Sequence, residues 1–156
     1  MRSDEGIDLA PEPERLIAAL SSALETELSF DKDRQCALLF EDGIELIVSV
    51  NSDGTLMSLR APLCAAEPGG RLREALVLNY GEVPPGFVIA LDDRSEQLLL
   101  LAQMPLASAT EHGFVRAAQQ LLGFVTPLRT MLTKTAEAGL IADIRTWQPG
   151  AGDIRG

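Results

Sequence analysis

The sequence predicts an α+β domain: an antiparallel, twisted, five-stranded sheet flanked by three helices, in the order α-β-β-β-α-β-β-α. Three observations carry this. Apolar residues recur at helical spacing in three stretches. Five short runs between them alternate or are continuously apolar, as strands are. Turn signals join neighbouring strands so tightly that the pairing must be antiparallel. At 156 residues the chain fits one domain, long enough to bury a core without disulfides or metals.

Residues 1–11 are acidic and carry no periodicity, so they read as a flexible arm. Pro11 and Pro13 mark a helix start, since proline is tolerated in a first turn. Leu16, Ile17, Leu20, Leu24 and Leu28 then line one face of a helix expected to run about four turns, to the neighbourhood of Ser29-Phe30-Asp31. Cys36 to Phe40 forms a first strand, and Glu41-Asp42-Gly43 carries the Asp-Gly hairpin signal. In the second strand, residues 44–50, Ile44, Leu46, Val48 and Val50 face one way and Glu45, Ile47 and Ser49 the other. Asn51 to Gly54 turns the chain into a third strand, residues 55–61.

Pro62 to Gly70 reads as a breaker-rich connection. Arg71 to Tyr80 is a short helix, stopped by Gly81 at the position after its cap. Its apolar residues cover two faces, so it needs two apolar neighbours, one of which could be a second copy of the chain. Phe87 to Leu91 and Gln97 to Met104 are strands around the turn Asp92 to Ser95. The run Leu98 to Ala102 is continuously apolar, which predicts cover on both faces. Ser108-Ala-Thr-Glu111 reads as a capping box for a last helix carrying Phe114, Val115, Ala118, Leu121, Leu122 and Val125. Pro127 should kink or end that helix, with Leu128, Met131 and Leu132 adding a turn or two. The organisation is therefore an arm (1–11), a domain (12–134) and a tail (135–156).

Lys plus Arg number 13 against 23 Asp plus Glu, giving a net charge of −10. A chain this acidic is a poor partner for nucleic acid or for an anionic membrane surface. The acidity is concentrated: residues 1–45 hold 12 acids and 4 bases, net −8, which leaves −2 for the remainder. There is no apolar stretch near the roughly 20 residues a membrane helix needs, and no signal-peptide pattern at the start. Two cysteines, Cys36 and Cys64, suit a reducing compartment, and a cytoplasmic location is expected.

Little in the sequence points to catalysis, and no enzymatic activity is expected. The single histidine, His112, falls in a helix first turn, where a positive charge is disfavoured, and supports no Ser-His-Asp or Cys-His set. The cysteines lack zinc-ligand spacing and sit on strands separated by a third, too far apart for a disulfide. Asp31-Lys32-Asp33 begins like a calcium loop but has neither the glycine at position 6 nor the final glutamate. Gly69-Gly70 has no Walker lysine, and Asp92-Asp93 is a turn pair. No cofactor or metal is expected. What stands out is a surplus of apolar surface beyond the needs of one small core, and on a soluble protein such surplus marks partner sites.

The ordered set of elements resembles the class I type III secretion chaperones, the Tir chaperone (CesT-like) family, over roughly residues 14–132. The stretches that carry the likeness are Leu72-Arg-Glu-Ala-Leu-Val-Leu-Asn-Tyr-Gly81, then Gly86-Phe-Val-Ile-Ala-Leu-Asp92, then Gln97-Leu-Leu-Leu-Leu-Ala-Gln-Met-Pro-Leu106, with Phe124-Val125 on the last helix. The resemblance implies a homodimer whose interface includes Leu72, Ala75, Leu76, Asn79, Tyr80, Phe87 and Ile89. It implies a chaperone that holds the N-terminal segment of one or more secreted effectors extended and export-competent, partly by strand addition at a sheet edge. Leu16, Leu20, Leu24 and Leu28 of the first helix, with Phe40, Ile44, Leu46 and Val48 of the meander, are the implied effector contacts. An export ATPase is a further implied partner. The alternative reading is a small-molecule-binding or sensory α+β domain whose excess apolar residues line a pocket.

Overall fold

The computed structural model describes residues 12–67 and 70–146, with side chains described as far as residue 134. The arm 1–11 and residues 147–156 of the tail lie outside the described residues. The elements are α1 (Pro13–Leu24), β1 (Gln35–Leu39), β2 (Glu45–Val50), β3 (Leu56–Ala65), α2 (Arg71–Gly81), β4 (Val88–Asp92), β5 (Gln97–Pro105), a short 3-10 turn (Leu106–Ser108) and α3 (Glu111–Thr146). The five strands form one sheet in the order β1-β2-β3-β5-β4, with every pair antiparallel. The predicted α+β order is therefore the observed one.

One sheet face is the core face. Leu46, Val48 and Val50 on β2, Met57, Leu59, Ala61 and Leu63 on β3, and Leu98, Leu100 and Ala102 on β5 are all buried. Phe114, Ala118, Leu121, Val125, Leu128 and Leu132 of α3 are buried in the same cluster. They recur every three or four residues, which keeps them on one stripe of the helix. Leu16, Ile17 and Leu20 bring α1 into the cluster, packed on α3. α2 sits beside α3 and along β4. The opposite sheet face carries Ala37, Ile47, Arg60, Leu99 and Leu101, all at least partly exposed. The expected cover on both faces of β5 is thus only half present: Leu98 and Leu100 are buried, while Leu99 and Leu101 are half-buried.

α1 is shorter than its apolar spacing predicts, three turns rather than four. Glu25 adopts a left-handed conformation, φ 53°, and the Thr26 N–H donates back to Ser21 O at 3.1 Å, closing the helix at Leu24. The Ser21 hydroxyl accepts from the Leu28 N–H at 3.2 Å and donates to the Thr26 carbonyl, so Leu28 lies in the segment that follows the helix. β3 is longer than expected and passes through Pro62. Pairing with β2 ends at Arg60, so the missing N–H of Pro62 removes no ladder bond there. A register shift follows between Pro62 and Cys64.

α2 includes Gly81, one residue more than expected, and Glu82 follows it as the cap. The cap of α3 is Thr110, whose Oγ1 accepts from the Gly113 N–H at 3.0 Å; Ser108 ends the 3-10 turn instead of opening a capping box. α3 also continues past Pro127 to Thr146, 36 residues in all. Pro127 is exposed, and the buried Val125, Leu128 and Leu132 on either side hold the helix against the core. The helical backbone at 135–146 runs into the stretch the sequence assigns to the tail.

Candidate protein-interaction surfaces

The apolar surplus of the sequence lies on exposed surface. Ala75 and Leu78 turn the inner face of α2 into the core. Leu72, Leu76 and Tyr80 recur at intervals of four on the outer face, and Val77 lies beside them. Leu76 is 70% exposed and Tyr80 96%. β4 adds Val88 and Leu91, both exposed. Exposed apolar side chains in contiguous rows, as on α2, are the mark of a partner surface, whereas scattered ones are ordinary.

Four of the residues assigned to this surface from the sequence serve the chain's own fold. Ala75 and Ile89 are buried in the core. Phe87 stacks edge-on against Phe124 of α3, ring centroids 6.0 Å apart. Asn79 is turned to β4, donating from Nδ2 to Ile89 O at 3.0 Å and accepting the Ile89 N–H on Oδ1 at 2.7 Å. Leu72, Leu76 and Tyr80 remain free, and Val77, Val88 and Leu91 join them. The run Ala75 to Leu78 is apolar without a break, so periodicity alone did not single out Val77.

A second surface lies at the opposite sheet edge. Phe40 donates to Ile44 O and Arg34 O accepts from Val50, so these residues of the first hairpin bond inward to β2. By alternation the N–H and C=O of Gln35, Ala37 and Leu39 point away from the sheet. Asp31 occupies those of Gln35: its N–H donates to Gln35 O at 2.8 Å and its Oδ1 accepts the Gln35 N–H at 2.9 Å. Ala37 and Leu39 form the open stretch, and Leu39 is 71% exposed. Just before β1 a surface groove of about 390 Å³ opens between α1 and the following segment, lined by Glu14, Ile17, Ala18, Leu28, Phe30 and Arg34, among others.

The expected effector contacts divide accordingly. Leu16, Leu20, Ile44, Leu46 and Val48 are core residues with no free surface, because the core face of the meander and the inner face of α1 meet α3. Leu24, Leu28 and Phe40 are partly buried against that core, and Leu28 also faces the groove. Leu39 and Ala18 are the exposed neighbours of these residues, and the sequence does not single them out because periodicity does not reveal which face of an element is covered.

His112 is exposed on the first turn of α3. Both cysteines are free, and burial raises both thiol pKa values. For Cys36 the Ser29 backbone opposes that rise and Asp31 adds to it. For Cys64 the nearby Arg71 and Arg129 oppose it. Among the described residues no cluster of three or more His, Cys, Asp or Glu could hold a metal, and no helix is long and apolar enough to cross a membrane.

The described residues thus form a three-helix α+β fold with a bare apolar stripe on its second helix and an open first strand. The chain belongs to the Tir chaperone protein (CesT) family, whose model matches residues 15–129. Solved structures share the fold at low sequence identity. The HopA1-SchA chaperone-effector complex matches at 20% identity and a TM-score of 0.59, covering 73% of this chain and 90% of that one. The ExsC-ExsE complex matches at 18% identity and a TM-score of 0.60, covering 82% and 96%. The heterodimeric ExoU-SpcU complex from the type III secretion system of Pseudomonas aeruginosa matches at 18% and 0.58, covering 76% and 98%. No curated protein matches the sequence.

Proposed function

We propose that this chain is a cytoplasmic type III secretion chaperone that works as a homodimer and holds the N-terminal segment of an effector in extended form. The observation that carries the reading is the pair of unpartnered surfaces. The α2 stripe of Leu72, Leu76 and Tyr80 suits a two-fold contact, in which the same patch meets itself. The open β1 edge at Ala37 and Leu39 suits an added strand, with the groove beside α1 taking one of its apolar side chains. Family membership and the chaperone-effector complexes of like fold support the same reading. No catalytic step is needed: the work is binding, and the client is held because its apolar residues stay covered. An export ATPase then takes the complex.

The test is capture of the client from native-host lysate on tagged full-length chain, followed by limited proteolysis and mass mapping. A protected extended segment near the N-terminus of a secreted protein is the expected result. Protection of only folded domains, or binding unchanged in Leu39→Lys, overturns it.

A further inference from the structure

A five-stranded open sheet has two edges, and an exposed edge is a template for any extended chain. In this fold the two edges are treated differently. On β1, Ala37 and Leu39 are open. On β4 the centre is occupied by a side chain: the Asn79 carboxamide gives Nδ2–H to Ile89 O at 3.0 Å and takes the Ile89 N–H at 2.7 Å. A carboxamide holds its donor and acceptor side by side in one plane, as a peptide unit does. It therefore occupies Ile89 as a residue of a neighbouring strand would. Ile89 lies opposite Leu100 of β5, and because its polar groups go to Asn79, they point off the sheet. By the same alternation Phe87 and Leu91 point outward too. The Phe87 N–H is taken by Pro84 O at 3.2 Å. Only Leu91 is left, too short a stretch for a ladder.

We propose that Asn79 is an edge guard: it stands in for a strand at Ile89, closes β4 to strand addition, and leaves β1 as the edge that accepts a polypeptide. The β1 half of this statement rests on the function proposed above. The β4 half does not, and it can be tested without a client. Once Asn79 is removed, the β4 edges of two copies can pair about a two-fold axis, a contact that closes on itself and so doubles the mass, whereas β4 on the open β1 of another copy would run on without limit.

The experiment uses full-length chain, with mass measured by light scattering across a concentration series and amide exchange read at Ile89. Asn79→Ala should free the Ile89 amide, raising its exchange about tenfold or more. It should also double the mass relative to wild type at high concentration. Adding Leu91→Lys to Asn79→Ala should return the mass of the Leu91→Lys chain alone, since an edge lysine disfavours strand pairing. A folded Asn79→Ala chain that keeps the wild-type mass while its Ile89 amide exchanges freely overturns the proposal. So does extra mass that survives Leu91→Lys, because the association then runs through another surface. If circular dichroism shows Asn79→Ala unfolded, Asn79→Leu, which keeps the size of the side chain and loses both donor and acceptor, is judged by the same two criteria.

Discussion

Arg129 of α3 holds β3 at its irregularity: Nε donates to Leu63 O at 2.9 Å and Nη2 to Pro62 O at 3.0 Å. Pairing with β2 has ended at Arg60 and the register shift skips Leu63, so these two carbonyls lie where the ladder is interrupted, and a guanidinium fork spans both. The contact ties residues 66 and 67 positions apart, so it fastens the long helix to the sheet. Arg129→Met leaves two partly buried carbonyls unpaired and should cost about 2 kcal/mol in urea denaturation, with Arg129→Lys losing less.

The same arginine acts on Cys64. Burial raises the thiol pKa, and the positive charges of Arg71 and Arg129 pull against that rise. Removing Arg129 should therefore raise it further and slow alkylation of Cys64 at fixed alkaline pH, measured with Cys36→Ala as background. The sign for stability follows. Both thiols sit above their ordinary value of 9.0 in the folded chain, so the unfolded chain loses its protons first. Their contribution is present below pH 9 and is lost as pH rises through the folded values. Cys36→Ala with Cys64→Ala should flatten the fall in melting temperature on the alkaline side.

Two glycines of α3 should respond differently to alanine. A Cβ on Gly123 meets nothing within 4 Å, so Gly123→Ala should stabilise by about 1 kcal/mol through helix propensity. A Cβ on Gly113 would lie 2.9 Å from Thr110 Oγ1, the atom that caps the helix. Displacing that hydroxyl costs about 1 kcal/mol, which cancels the gain. Gly113→Ala should leave the unfolding midpoint unchanged.

Leu76→Asp should break the proposed homodimer without harming the fold, because Leu76 is 70% exposed in the single chain. A two-fold contact buries the residue twice, at about 2 kcal/mol each, so the dissociation constant of the variant should exceed that of the wild type by about 1,000-fold. Sedimentation equilibrium at low micromolar concentration, with circular dichroism as the control, decides it.

Pro127→Ala should stabilise α3. The proline removes an i−4 bond to the Gly123 carbonyl from an exposed position, and alanine restores it, worth about 2 kcal/mol after the entropy released by losing the ring. Thermal melts of the full chain measure this.

The order of elements, the antiparallel pairing and the core face of β2 were legible in the residues, because they rest on local periodicity and turn chemistry. Ile44, Leu46, Val48 and Val50 alternate whatever they pack against, and all four are buried. The family was legible too, from the succession Leu72–Gly81, Gly86–Asp92 and Gln97–Leu106. Which apolar residues stay free was decided only in three dimensions. Leu16 and Leu76 look alike in sequence, yet one is sealed under α3 and the other is bare, since burial depends on what the rest of the chain brings to each face. Tertiary contacts also overrode local signals. Ser21 and the left-handed Glu25 ended α1 before Leu28, and the packing of Val125, Leu128 and Leu132 carried α3 through Pro127. Asn79 shows the same division: the sequence placed it near the end of a short helix, and only the approach of β4 turned its amide into the closure of a sheet edge.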